Sequence, residues 1–396
     1  MASLESLDLQ GKRVLVRVDF NVPLNEAREI TDDSRMQAHI PTIKTIIEKG
    51  GKPILMSHLG RPKDGPSPEL SLSHLVSHLQ DLSGLKVQFV QDSIGAEVEA
   101  ASAALADKEI LLIENLRFYK QETKGDEAFA EALSKLGDVY INDAFGTAHR
   151  AHASTAVIAK FFEGRKAFGH VLQSEIDNVN KVLHGGVKPV TAIVGGAKVS
   201  SKISILENLL DRIDNLVIGG GMAFTFIKAQ GGQTGNSLIE DDYLDTARKI
   251  MDAAANKGVS IILPSDSKVA NGFSNDAEAK ISPSNAIEDG WMGLDAGPDS
   301  IKALEGVLLS SKTILWNGPL GVFEFENFQD ATKAAGDLIV QATENGAFSL
   351  VGGGDSVAAI KKFNLADRVS YVSTGGGAML EFLEGKTLPG IEAIQA

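Results

Sequence analysis

Short apolar runs rich in β-branched residues recur along this chain, each closed by a glycine-rich or polar turn and followed by a helix-like stretch. That alternation marks βαβ units, which build mainly parallel sheets with helices on both faces. In the first half the runs fall near Val14–Val18, Pro53–Ser57, Val87–Val90, Ile110–Ile113 and Asp138–Ile141. In the second they fall near Val190–Val194, Leu216–Gly219, Val259–Leu263, Thr313–Trp316, Phe348–Val351 and Val369–Ser373. The expected class is α/β, and 396 residues exceed what one hydrophobic core usually supports, so two doubly wound, Rossmann-like lobes are expected. Between the halves, Leu172, Ile176, Val179 and Leu183 repeat at helical spacing and Gly185-Gly186 supplies a stop. This predicts an amphipathic connecting helix over His170–His184, with lobes over 1–170 and 171–378. An ordinary helix inside one continuous domain is the other reading of that spacing.

Composition narrows the function classes. A formal net charge of -14 argues against a surface that coats nucleic acid or anionic lipid, though a local basic pocket remains compatible with it. No cysteine is present, which removes disulfides, Cys-ligated metals and thiol nucleophiles. The N-terminal residues show neither a basic nor an apolar signal region, and no apolar run is long enough to span a bilayer, so a cytoplasmic protein is expected.

In open parallel sheets ligands bind beyond the carboxyl ends of the strands. After the first-half runs stand Asp19-Phe20-Asn21, His58-Leu59-Gly60-Arg61, Asn115-Leu116-Arg117 and Gly146-Thr147-Ala148-His149-Arg150. Guanidinium groups pair bidentately with carboxylate or phosphate, and their recurrence here describes a pocket for a small, multiply charged anion. After the second-half runs stand Gly195-Gly196-Ala197-Lys198, Gly219-Gly220-Gly221, Asn317-Gly318-Pro319, Gly352-Gly353-Gly354-Asp355-Ser356 and Gly375-Gly376-Gly377. Glycine lets backbone N–H groups approach oxyanions, so these turns suit the phosphates of a nucleotide. Lys198 and Lys202 are four apart at an expected helix start and would share one face. Asp355 could hold Mg²⁺ through one carboxylate, with a helix N-cap as the rival reading. A P-loop, the protein-kinase motifs, a zinc-protease motif and a serine nucleophile elbow are all missing.

Ordered segments along nearly the whole chain resemble the phosphoglycerate kinase family: Arg17-Val-Asp-Phe-Asn-Val-Pro23, His58-Leu-Gly-Arg-Pro62, Glu114-Asn-Leu-Arg-Phe118, Asp143-Ala-Phe-Gly-Thr-Ala-His-Arg150, Gly195-Gly-Ala-Lys-Val199, Trp316-Asn-Gly-Pro319, Gly352-Gly-Gly-Asp355 and Ser373-Thr-Gly-Gly-Gly-Ala378. The resemblance implies reversible phosphoryl transfer from 1,3-bisphosphoglycerate to Mg-ADP, giving 3-phosphoglycerate and Mg-ATP, in a hinge-bending glycolytic monomer. It implies a phosphoglycerate site of Asp19, Asn21, Arg35, His58, Arg61, Arg117 and Arg150. The implied nucleotide site holds Lys198, Lys202, Gly219, Gly220, Asn317, Pro319, Glu324, Gly352, Gly353, Gly354, Asp355 and Ser356, with Asp355 on Mg²⁺. Arg35, Lys198 and the amides of Gly375 and Gly376 would meet the transferring group, and 379–396 would return to complete the first lobe. Ser201, the Leu263–Lys268 turn and the bend from Pro23 to Ile30 depart from the usual pattern, the first two in ways that could shift nucleotide preference. An acyl-phosphate-forming kinase for another carboxylate and a non-catalytic nucleotide-binding scaffold are the competing readings.

Overall fold

The first sheet is built around Arg13–Arg17, which pairs in parallel with Lys52–Met56 on one side and Val139–Asn142 on the other. Its Val14, Leu15 and Val16 are fully buried, as a strand covered by helices on both faces requires. In the computed structural model, which describes residues 3–63 and 65–396, this sheet runs in the order Lys86–Val90, Glu109–Ile113, Lys52–Met56, Arg13–Arg17, Val139–Asn142, Lys166–Phe168. A second six-stranded sheet runs Ser260–Ile262, Asn215–Ile218, Val190–Val194, Thr313–Asn317, Phe348–Val351, Tyr371–Val372. All pairings within both sheets are parallel. The chain is therefore α/β with two doubly wound parallel-sheet domains.

Strand order reverses at one place in each sheet. In the first it lies between Arg13–Arg17 and Val139–Asn142, and in the second between Val190–Val194 and Thr313–Asn317. At such points neighbouring crossover connections lead away from one another and leave a crevice beyond the carboxyl ends of the strands.

Every strand expected from the apolar runs is present; Val190–Val194 and Phe348–Val351 match to the residue, while 369–373 keeps only Tyr371–Val372. The sequence reading missed Lys166–Phe168 and a three-stranded antiparallel sheet of Ala279–Pro283, Asp266–Ala270 and Met292–Ala296. Asp266-Ser-Lys-Val-Ala270 has no apolar run to find; neighbouring strands rather than its own composition make it a strand.

The chain divides into two compact units, one running to Ile176 and joined by Thr387–Ala396, the other Asp177–Lys386. The sequence placed these boundaries at 170/171 and 378/379. The first division falls inside the His170–Leu183 helix, whose Leu172, Ile176, Val179 and Leu183 are all buried. The second falls after the Gly377–Leu383 helix because that helix packs on Ile203–Leu209, with the Asn208 side-chain amide donating to the Leu383 carbonyl. The returning helix Pro389–Gln395 buries Ile391 and Ile394 in the first unit. There Gly390 N–H donates to Ala148 O at 2.8 Å and Lys166 Nζ to Ala393 O at 2.8 Å. Among the described residues, no helix is long and apolar enough to cross a membrane.

Candidate functional site

In the first unit the residues beyond the strand ends form one hydrogen-bonded chain. Arg35 Nη1 donates to Asp19 Oδ2 at 3.1 Å and to Asn21 O at 3.3 Å. Gly60 N–H donates to Asn21 Oδ1 at 2.8 Å, and Arg117 Nη1 donates to Gly60 O at 2.9 Å. His58 is buried, with Asp19 Oδ1 4.0 Å from its Nδ1. Arg17, fully buried, places Nη2 3.1 Å from that same nitrogen. Because guanidinium nitrogens only donate, His58 Nδ1 is the acceptor and Nε2 carries the proton.

Positive charge here exceeds its local counter-charge. Arg17 and Arg61 both act on Arg117, and only Glu122 and Asp19 oppose them among its principal neighbours, so burial and the other guanidinium groups lower its affinity for its proton. Arg117 Nε is buried without a hydrogen-bond partner. Burial, with Arg117, Arg17 and Arg150 around it, pushes the His152 imidazole down to about 4. Burial likewise holds His58 well below the ordinary histidine range against the pull of Asp19, so both rings are neutral near pH 7. Burial opposes ionisation of Asp19, yet the positive charge around it, with Arg35 and Arg17 permanently charged, more than offsets burial and holds that carboxyl below its usual range. Arg61 and Arg150 are exposed and join the cluster through these electrostatic effects.

In the second unit the glycine turns converge at the switch point. Gly195 N–H donates to Asn317 O at 2.9 Å, and Gly352 N–H donates to Trp316 O at 3.0 Å. A Cβ on Gly195 would lie 2.0 Å from Pro319 O and one on Gly318 2.2 Å from Gly195 O, so the two turns touch backbone to backbone. Asn317 Nδ2 donates to Gly352 O at 2.7 Å, and Lys202 Nζ donates to Asn317 Oδ1. The Ser356 hydroxyl accepts from Gly318 N–H, knitting two turns together, and Gly375 N–H donates to Ser373 Oγ at 3.1 Å. Beside these turns opens a cavity of about 530 Å³ whose wall includes Gly196, Gly220, Pro319, Glu324 and Asp355. Apolar side chains also line it, among them Phe224, Leu238, Phe273 and Met292. A space of that size, lined by apolar side chains and glycine turns, suits a flat base carrying a phosphate tail.

Lys198 and Lys202 do not share an α-helical face. Lys198 is extended and exposed before a 3₁₀ turn, Val199–Ser201, and Lys202 immediately precedes the Ile203–Leu209 helix. Lys202 is partly buried, which lowers its affinity for its proton against the support of Asp355 and Glu384. Asp355 is exposed in the first turn of the Gly354–Lys362 helix, where Gly353 occupies the N-cap, so the capping alternative for Asp355 does not apply. Among the described residues no group of three or more acidic or histidine side chains could hold a metal by itself. The exposed Asp355 carboxylate, one of three in the cavity wall with Glu324 and Asp295, fits a Mg²⁺ shared with bound phosphates, which retains water and takes few protein ligands.

The phosphoglycerate kinase family profile matches residues 4–386. The chain belongs to the phosphoglycerate kinase family. It is 53% identical to a phosphoglycerate kinase of Porphyromonas gingivalis, with 99% of this chain and 100% of that protein covered. It is also 53% identical to a cytosolic phosphoglycerate kinase of Triticum aestivum, covering 100% of this chain and 98% of the relative. The solved phosphoglycerate kinase of Coxiella burnetii superposes with a TM-score of 0.91 at 41% identity, covering 100% of this chain and 98% of that one.

In this member of the phosphoglycerate kinase family several residues beside the two clusters escaped the sequence reading. Arg17, Glu122 and His152 build the electrostatics of the first cluster from beneath. Phe224, Leu238 and Met292 line the cavity of the second, and Gly293 leaves room for the Phe224 ring, which a Cβ would meet at 2.0 Å. No motif or spacing in the sequence tied Met292 and Gly293 to Phe224.

Proposed function

We propose that this chain is a working phosphoglycerate kinase, transferring a phosphoryl group reversibly from the acyl phosphate of 1,3-bisphosphoglycerate to ADP. The observation that carries this reading is the under-compensated guanidinium cluster about Asp19, in a family member whose other unit offers a cavity rimmed by glycine turns. Arg35, Arg61, Arg117 and Arg150, with Asp19, Asn21 and neutral His58, bind 3-phosphoglycerate through its phosphate and carboxylate. The cavity takes the nucleotide: Gly219, Gly220 and Pro319 flank the base, Glu324 accepts from the ribose hydroxyls, and Lys202, Asn317 and the 352–356 turn hold the phosphates. Asp355 is the ligand for Mg²⁺, which when bound supplies charge neutralisation on the nucleotide phosphates.

In the ATP-consuming direction the attacking group is a carboxylate, ionised at neutral pH because its pKa is ~4, so no general base is required. Catalysis then needs alignment and positive charge about the moving phosphoryl group. Arg35 and Lys198 provide that charge, and the Gly376 amide, with that of Gly375 once it leaves Ser373 Oγ, orients the equatorial oxygens. Since the two substrates occupy different units, transfer requires hinge closure that aligns them and excludes water. The reading includes a cytoplasmic monomer, consistent with the relative from wheat that is named cytosolic.

A coupled assay with 3-phosphoglycerate and Mg-ATP tests the reaction directly, and no turnover with these substrates would reject it. Lys198→Ala is expected to lower kcat at least about 100-fold, with a small change in nucleotide affinity, because its charge matters most at the transition state. Arg61→Ala is expected to weaken 3-phosphoglycerate binding about tenfold or more by calorimetry, the usual cost of a charged hydrogen bond.

A further inference from the structure

His39 lies one turn after Arg35 on the Ser34–Glu48 helix, so both side chains leave the same face. They reach the same residue. Arg35 holds the Asp19 carboxylate, while the Asp19 main-chain N–H donates to His39 Nε2 at 3.0 Å. Since a backbone N–H only donates, Nε2 is the bare nitrogen and the proton of the neutral ring sits on Nδ1. Nδ1 is 2.8 Å from Asp143 Oδ2. Asp143 is fully buried, and its Oδ1 accepts from Val171 N–H at 2.8 Å and Leu172 N–H at 3.3 Å. Phe20 packs edge-on against the imidazole with ring centroids 5.7 Å apart. The ring therefore bridges the switch point of the first sheet, joining the segment after Arg13–Arg17 to the segment after Val139–Asn142.

We infer that His39 is a positioning residue for the phosphoglycerate pocket: it fixes the main chain of Asp19 while Arg35 fixes the side chain, and Asp143 fixes the tautomer that makes this bond. The inference rests on the substrate reading above. A buried core histidine would ordinarily need only satisfied nitrogens. Here one of the two bonds ends on a pocket residue gripped from the same helix, so its loss frees Asp19 to rotate away from Arg35 and from Asn21, whose N–H it accepts at 3.3 Å.

Two substitutions separate the bonds. His39→Gln keeps an acceptor near the Nε2 position, whereas His39→Asn keeps only a donor toward Asp143. The KM for 3-phosphoglycerate should stay within about threefold in His39→Gln and rise about tenfold in His39→Asn, the usual effect of one lost buried hydrogen bond. The nucleotide KM and kcat should change little in either. Equal 3-phosphoglycerate KM values in the two variants, or constants for both substrates moving together, would reduce His39 to packing and overturn the inference. Nitrogen NMR of the unsubstituted protein should show Nδ1 protonated and Nε2 bare, and a proton on Nε2 would overturn it without any variant. Should the parent fail to turn over 3-phosphoglycerate, the functional reading fails separately. Hydrogen exchange at the Asp19 amide then decides the positioning role: slow in His39→Gln and fast in His39→Asn supports it, and equal rates refute it.

Discussion

Asp295 illustrates how burial, helped by a neighbouring carboxylate, can place a titration in the physiological range. It is 3% exposed, lines the nucleotide-sized cavity, and accepts Ala296 N–H at 3.0 Å and Ala331 N–H at 3.1 Å. Those bonds favour the carboxylate, but burial outweighs them, and with Asp330 nearby the carboxyl is pushed up to about 7. Its folded pKa lies above its unfolded value, so its contribution to stability is fully present below pH ~4 and is lost as pH rises toward 7. Within that window this one group lowers stability by about 1.4 kcal/mol per pH unit. Carbon NMR of the Asp295 carboxyl should give a midpoint near neutrality, and a midpoint in the ordinary aspartate range would show that the two amides win. By contrast His152, whose folded pKa is about 4, favours folding at neutral pH and loses that contribution as pH falls from ~6.5 through 4. Its ring should remain neutral in an NMR titration taken to pH 5. Protonation above pH 6 would mean that the surrounding guanidinium groups are better compensated than their geometry indicates.

Among the elements, the glycine turns of the second unit do two things at once. They tie the strand ends together through their own amides, as in Gly195 N–H to Asn317 O, and they let neighbouring turns approach more closely than any side chain permits. Gly318 has φ +109° and room for no Cβ beside Gly195 O, so Gly318→Ala should cost about 3 kcal/mol or more in urea unfolding. A variant as stable as the parent would mean that the Asn317–Pro319 turn can slide without consequence. These turns were legible because glycine clusters after apolar runs are conspicuous, and the arginines after the first-half runs were legible for the same positional reason. The antiparallel sheet was not, since Asp266–Ala270 is mostly polar, Ala279–Pro283 is mostly exposed with no apolar run, and both become strands only through their partners. The lysine pair was misplaced because a spacing of four implies a shared face only in an α-helix, and Val199–Ser201 is a 3₁₀ turn. His39 left no mark in the sequence, for its value lies in contacts with Asp19 and Asp143, and the latter is 104 positions away.

At the scale of the molecule, the first unit is discontinuous and the second is not. Thr387–Ala396 adds buried Leu388, Ile391 and Ile394 to the first unit, and Asn142 Nδ2 donates to Gly390 O at 3.2 Å. Removing these residues should destabilise the first unit by on the order of 5 kcal/mol, judged from the apolar side chains uncovered. Hydrogen exchange should then accelerate in 3–176 with protection in 177–386 unchanged; equal acceleration in both would show that the units melt together. The same discontinuity sets an order of events during translation. Ribosomes deliver 177–386 as an uninterrupted stretch, able to condense as soon as it clears the exit tunnel. The half made earlier must wait for residues 387–396 before the carbonyl of Ala148 and the amide of Asn142 meet their partners. Birth order and completion order are thus reversed in this polypeptide.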